Sequence, residues 1–449
     1  MLAIARSAGL LRSFGLLTLA LTLGCSNSSS TPPSTAPGEM KSDAQPVEAA
    51  KAAAPVAPDD PAAVATIEKL RGHVERDKAG NVISVNFADA GQLTDQDLDL
   101  LAKLPQLKSL ELPGGGIGDE NIDHLKPLKA LQELILENSN ITDAGLAKLA
   151  ELPSLRIVNL RRCSKLTDAG LTQIIKFPSL QQLLLLYTNI GDAGLANLKG
   201  LNKLRVLDLR GCEVSDTGMA AIVDLVGLER LKLRAPAVTD EGLKSISQLK
   251  KLRGVALEDT RISDEGLALL SGHTALDELN LLRTGVTDAG LAHLAPLTEM
   301  KRLELRSTQL DGSGLSHLKG MTKLRLLDLG ETQVDDASLA VLESMKDLER
   351  LDLWFSRVTD AGLLHLSSLT NLNYLNLEDT QVTDAGLTAL ANLQKLEFLG
   401  LKGTPVTDAG LEEVAKLKGL KEVNLSFTQV TPEGVAKLTQ ALPGLKVAQ

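Results

Sequence analysis

Aromatic side chains are scarce in this 449-residue chain: one tryptophan, two tyrosines and six phenylalanines, 2% of the whole. With 43% apolar residues a core is still possible, but it must be aliphatic and built mainly from leucine. Cysteine is rarer still, at three, and no Cys-x-x-Cys pair occurs. Positive charge is in deficit: 47 Lys and Arg against 57 Asp and Glu leave a net charge of −10 and a pI of about 5.3. That balance speaks against nucleic-acid binding, which needs a basic surface. No HExxH and no GxSxG is present, so the commonest hydrolase signatures are missing. No apolar run is long enough to span a bilayer comfortably.

The longest such run, Phe14 to Leu23, follows Arg6 and Arg12. A basic start and a short apolar run read as an export signal over residues 1–24. Thr22-Leu23-Gly24-Cys25 then resembles the lipobox of bacterial lipoproteins, with Thr22 where that family usually has Leu. The resemblance implies lipidation of Cys25 and anchorage at the bacterial cell envelope, on the outer membrane or its periplasmic or extracellular face. Residues 25–66 contain a Ser-, Pro- and Ala-rich stretch that cannot bury a core and reads as a disordered tether. As a flexible coil its roughly 36 residues reach about 35 Å.

What the chain has in abundance is repetition. Thr-Asp-Ala-Gly-Leu or a variant starts at fifteen places, from Thr94 to Thr431. Thirteen of the fourteen intervals are 24 residues, and the one from Thr142 to Thr167 is 25. A fixed period of this size marks a solenoid in which each unit packs on its neighbours. Within one unit, Leu131, Leu134 and Leu136 follow L-x-x-L-x-L, and the alternation predicts a short strand with leucines facing inward. Thr142 is placed to cap a helix, Asp143 suits its positive end, and Leu146, Leu149 and Leu152 form its apolar stripe. The expected fold is α/β: a parallel sheet on a concave face, short helices on a convex face, about 15 repeats, over residues 67–449. Residues 67–93 are the expected N-terminal cap and 431–449 the C-terminal end. The tag's Asp column fails only at Gly312 and Pro432, and its Gly column at Asp97, Asn121 and Ser338. Glycine in a helix costs about 1 kcal/mol against alanine, so close approach of adjacent helices is expected there.

The run Arg161-Arg162-Cys163-Ser164-Lys165-Leu166-Thr167-Asp168-Ala169-Gly170-Leu171 resembles the cysteine-containing subfamily of leucine-rich repeats. Overall the chain is similar to leucine-rich-repeat lipoproteins of environmental bacteria such as planctomycetes. The resemblance implies that Cys163 and Cys212 face the core, where other repeats carry Thr188, Thr260 or Thr284. They lie two repeats apart, about 10 Å on the strand spacing, too far for a disulfide. Two free, buried thiols are expected.

Chemistry is sparse. Gly114-Gly115-Gly116-Ile117-Gly118 lies between a strand and a helix but lacks the spacing of a phosphate loop. His124, His293, His317 and His365 share a helical column that elsewhere holds Lys148 and Gln173, a solvated face. No cofactor and no metal site is expected.

Binding surfaces carry more information. Arg161, Leu186, Arg210 and Arg234 follow the strand core in four consecutive repeats, and with Arg162, Arg230 and Lys232 they read as a basic patch. Trp354, Phe355, Tyr374 and Phe398 gather four of the eight aromatics beyond the signal into 45 residues. Trp354, Tyr374 and Phe398 occupy outward positions, flanked by Arg350 and Lys402. Aromatics in such places commonly anchor partners. The expected function is a membrane-anchored, non-enzymatic protein–protein interaction scaffold holding a protein or peptide on its concave face. An envelope polysaccharide or peptidoglycan is the alternative ligand.

Overall fold

The computed structural model describes residues 57–449. The export signal, Cys25 and the first 56 residues lie outside it. A seventeen-stranded sheet runs through the described residues. The strands His73–Arg76 and Val82–Asn86 pair antiparallel, and every later strand adds in parallel to the one before it, ending at Lys446–Ala448. Most strands are three residues long, and they are joined to the next by α or 3-10 turns of three to ten residues. The short period leaves no room for long helices, and 3-10 geometry suits such short pieces.

The leucine columns make the core. Leu134, Leu136, Ile141, Leu146 and Leu149 of one repeat are wholly buried. Leu303, Leu327, Leu351, Leu375 and Leu399 pair in strict register along five strands. The 25-residue interval does not disturb this: Val158 pairs with Leu183, and the extra residue is taken up in the turn after Cys163. That turn has a recurring cost. At equivalent positions from Asn138 (φ 60°) to Phe427 (φ 59°) ten non-glycine residues adopt left-handed backbone, at roughly 1 kcal/mol each. Their amides are tied down, as where Asn138 N–H donates to the Arg161 carbonyl at 2.7 Å.

The tag residues link repeats to one another. Thr142 Oγ1 accepts from the Ala144 amide as a helix cap, and its own hydroxyl donates to Asp119 Oδ2 of the preceding repeat at 2.6 Å. The Thr142 amide donates to the other oxygen, Asp119 Oδ1, at 2.7 Å. Ten repeat junctions use both bonds, among them Asp216 with Thr239 and Asp384 with Thr407. The aspartate charge is therefore met by donors of the next repeat as well as by its own helix. Glycine follows from this: a Cβ at Gly145 would lie 2.3 Å from Asp119 Oδ1.

The expected cap begins earlier than residue 67. Pro61–Lys69 is a helix, capped by Asp60 and buried through Ala63, Val64 and Ile67, so residues 61–66, assigned to the tether from composition, belong to the folded unit. Val64 and Ile67 join the core cluster that holds Val82, Val85 and Phe87, and the Ala-Pro content that suggested a tether conceals one short helix. Val82, Val85 and Phe87 are wholly buried. At the other end the helix Pro432–Ala441 buries Leu438, and the last strand leaves Val447 half-covered.

Cys163 and Cys212 are buried and free. Their thiols donate to the carbonyls of Leu136 (3.2 Å) and Leu185 (3.1 Å), near the place where Thr260 Oγ1 donates to Leu257 (2.7 Å). Among the described residues no helix is long and apolar enough to cross a membrane.

Candidate functional site

Alternate strand residues point out of the sheet, so each repeat offers the concave face three outward positions two residues apart, for example Arg350, Asp352 and Trp354. Three rows result.

In the first row Arg350 pairs with Tyr374 and Tyr374 with Phe398 across neighbouring strands. The Arg350 guanidinium lies 3.8 Å from the Tyr374 ring centroid, and the Tyr374 and Phe398 rings stack at 4.5 Å with planes 10° apart. The structure brings Arg350, Tyr374 and Phe398 together. Such cation–π and stacking contacts contribute roughly 0.5–1.5 kcal/mol each.

Trp354 stands in the third row, four residues along from Arg350. Its ring carries the Arg306 guanidinium at 4.4 Å, and its Nε1 donates to Asp379 Oδ2 at 2.9 Å. Phe355, in the left-handed position beside it, is 59% exposed with its ring 6.2 Å from the Trp354 ring. Lys402, the other expected flanking cation, lies 5.7 Å over Phe427, which is 84% exposed. The linear cluster from 354 to 398 is thus two rows, because Trp354 and Tyr374 fall at different places in their repeats. Arg306 and Phe427 were not foreseen. Counting columns in steps of 24 places Arg306 in line with Trp354, and that was the available signal.

The middle row was missed as a site. Glu304, Asp328 and Asp352 are direct cross-strand neighbours. Burial pushes all three carboxyls up, and Asp328, crowded further by Asp352, rises to about 7. Gly330 puts no side chain between Arg306 and Trp354 in the third row, where the Arg306 side chain reaches across to Trp354: a Cβ at Gly330 would lie 3.2 Å from Asp328 Oδ1 and 3.4 Å from Asp352 Oδ1.

The expected basic patch is corrected. Its arginines share one region but carry acidic partners. Arg210 binds Asp208 at 2.7 Å and Glu258 at 3.5 Å; Arg230 binds Glu278 at 2.5 Å and Asp277 at 3.2 Å. Arg234 binds Asp259 at 2.5 Å and the Tyr187 hydroxyl at 3.2 Å, and Arg161 binds Glu137 at 3.1 Å. Lys232 sits between Asp208 and Ala256 in register. The acids come from other columns and neighbouring strands, so reading the arginine column alone overstates the positive charge.

On the convex side the tag's departures have a visible effect. Gly312 (φ +99°) offers no carboxylate to the following repeat, whose cap residue Asp335 bonds locally with Ser338 instead. Ser338 fills the glycine place of its tag, and a Cβ at Gly312 would lie 2.5 Å from Ser338 Cβ. Beside this broken junction lies a cleft of about 950 Å³ lined by Asp311, Ser316, Lys319, Glu343 and Arg357 among others.

His124 contacts Asp99 at 2.7 Å and His365 contacts Glu343 at 2.6 Å. Among the described residues no group of three or more His, Cys, Asp or Glu is arranged to hold a metal ion.

The sheet, its register and the repeat junctions define a leucine-rich-repeat solenoid. Residues 129–150, 200–223, 368–391 and 419–438 match the family model described as Leucine Rich repeat. Among solved structures the chain is similar to a leucine-rich-repeat protein of Leptospira interrogans, at 20% identity over 81% of this chain and 94% of that one, with a TM-score of 0.53. It is also similar to an internalin of Listeria monocytogenes, at 21% identity, 86% and 93% coverage and a TM-score of 0.49. The Arabidopsis receptor kinase HAESA, solved with a peptide hormone and a co-receptor, aligns at 16% identity, 84% and 75% coverage and a TM-score of 0.45. A search of curated proteins finds no match.

Proposed function

We propose that this protein is a non-enzymatic scaffold that holds a protein or peptide partner on its concave face. The observation that carries the reading is the paired display of rings on that face. Tyr374 stacked on Phe398 and Trp354 beside exposed Phe355 form rigid, partly apolar anchors, each braced by an arginine. Braced aromatics lose little side-chain entropy when a partner covers them, which suits a binding hot spot. Lipid attachment at Cys25 would place this face at the bacterial envelope, with the residues before the cap as a spacer.

The test is crosslinking of the full chain in native membranes followed by mass spectrometry, for wild type and for Trp354→Ala combined with Tyr374→Ala. A protein crosslinked by wild type and lost in the double variant supports the reading. Rings also stack on sugars, so retention on peptidoglycan is measured in parallel. Loss of glycan retention alone would replace the protein partner by an envelope polysaccharide. Unchanged capture in both assays would remove the aromatic face from the function.

A further inference from the structure

We infer that the solenoid bends at one junction, between the repeats whose tags begin at Asp311 and Asp335, and that the bend moves Arg306 on and off the Trp354 ring. The inference goes beyond the binding reading and does not depend on a partner.

The junctions on either side are held firmly. Upstream, Asp288 accepts from the amides of Asp311 at 2.7 Å, Gly312 at 3.1 Å and Gly314 at 2.7 Å. Downstream, Asp336 accepts from the Thr359 amide at 2.7 Å and the Thr359 hydroxyl at 2.6 Å. Between them Gly312 has no carboxylate to give, the one tag before the last that lacks it. Each cap closes on its own repeat instead: Asp311 Oδ1 accepts from the Ser313 amide at 2.9 Å, and Asp335 Oδ1 from the Ser338 amide at 3.1 Å. The bond that Ser344 Oγ sends across to the Lys319 carbonyl is long, at 3.4 Å, and its nearer acceptor is Val341 of its own turn, at 2.9 Å.

The facing turns also have room. They carry small side chains, Ser313 and Ser316 against Ala337 and Ala340, which line the cleft of about 950 Å³. The turns can close on this space or draw apart without breaking a carboxylate junction. A seam with few cross-links opens at lower cost than its neighbours.

The sheet supplies the pivot. Leu303 and Leu327 stay paired in register, and the amides of Leu305 and Ser307 donate to the Asp328 and Gly330 carbonyls at 2.8 and 2.9 Å. Slack on the convex side and continuous bonding on the concave side make a hinge whose axis runs along the strands. Arg306 stands just before that axis and Trp354 two strands after Arg306, so their 4.4 Å contact spans it. Glu331, beyond the axis, holds Arg306 at 2.7 Å and accepts from the Ser307 hydroxyl. Closing the cleft flattens the curve and spreads the outward side chains, which draws Arg306 off the ring. Widening it brings Arg306 back.

Spin labels report the bend. Ala220, Ala292 and Leu364 are exposed and hold equivalent places in their repeats. In the full chain carrying Cys25→Ser, labels at Ala292→Cys and Leu364→Cys span the junction, and labels at Ala220→Cys and Ala292→Cys span an equal number of intact ones. Dipolar spectroscopy should give a distance distribution about twofold broader for the spanning pair. Restoring the tag with Gly312→Asp, Asp335→Thr and Ser338→Gly should narrow it to the control width. The same change should lower acrylamide quenching of Trp354, the sole tryptophan, by about twofold. Hydrogen exchange of the unaltered chain guards against a variant that misfolds. Amides of the 3-10 turn Ala337–Ser344 should exchange about tenfold faster than those of the 3-10 turn Asp288–Leu294. Equal widths for the two pairs, or equal exchange in the two turns, would overturn the hinge. A broad distribution that the restored tag leaves broad would overturn its assignment to the missing carboxylate. Narrowing with unchanged quenching would overturn the link to Arg306.

Discussion

Asp264 of one repeat holds Thr287 of the next by two bonds: Oδ1 accepts from the Thr287 amide at 2.8 Å and Oδ2 from its hydroxyl at 2.6 Å. A Cβ at Gly290 would lie 2.3 Å from the same Oδ1. Three tag residues therefore act as one unit across a repeat boundary.

Asp264→Ala should lower stability by about 1–3 kcal/mol, the range for losing charge-assisted bonds in a partly covered place. Gly290→Ala should also destabilise, although alanine favours helix by about 1 kcal/mol. In the Asp264→Ala background the obstacle is gone, and Gly290→Ala should become neutral or stabilising. Urea midpoints of the four proteins form a double-mutant cycle. Additive losses would sink the account.

His273 occupies a place that is leucine in the adjoining repeats, at Leu249 and Leu297, and only 4% of it is exposed. Neither ring nitrogen has a hydrogen-bond partner among the described residues. Burial lowers its pKa below the ordinary 6.5. The unfolded chain therefore takes up the proton first, and stability falls as pH drops through about 6.5. His273→Leu should raise the urea midpoint at pH 8, by about 1–3 kcal/mol for removing an unpaired buried polar group, and raise it further at pH 5.5. A lower midpoint for the variant at either pH would contradict this.

Asp328 titrates the opposite way. Its carboxyl is raised from 3.8 to about 7 by burial and by Asp352. Between those values the folded protein holds a proton that the unfolded chain lacks, so this group favours folding in acid and loses that contribution as pH rises towards 7. Asn already fills the same row at Asn280, Asn376 and Asn424. Asp328→Asn should therefore match wild type near pH 4 and exceed it at pH 8 by on the order of 1–2 kcal/mol. Thermal melts at both pH values decide the matter.

Burial raises the pKa of both Cys163 and Cys212. Native protein at pH 8 should leave the two thiols unmodified by iodoacetamide over an hour, while protein in concentrated urea should react at both. Mass spectrometry counts the adducts.

The architecture was readable because it repeats. A 24-residue period, an aliphatic column and a threonine before the helix each report local physics, and each appears as expected. What crosses from one repeat to another was harder to read. The column of aspartates shows that Asp143 recurs but not that it grips Thr167 in the next unit. The arginines at 210, 230 and 234 looked like free charge because Asp208, Glu278 and Asp259 stand in other columns. Trp354 and Tyr374 are close in sequence yet belong to different rows, and Asp328 gave no local sign that burial and a like-charged neighbour would perturb it. The cleft beside Gly312 was announced by two breaks in the tag, at Gly312 and Ser338, whose joint effect depends on their facing each other.

The junctions also have a direction. At ten junctions a repeat receives its predecessor's carboxylate with a threonine or serine, and most repeats hand a carboxylate of their own forward. In the last tag Pro432 stands where that carboxylate belongs. A spare unit spliced into the interior would find a matching donor and acceptor at both seams, so the array can change length by whole units in its middle. A unit that followed Pro432 would meet no carboxylate, as Asp335 meets none at Gly312, and would have to close its turn locally as that repeat does.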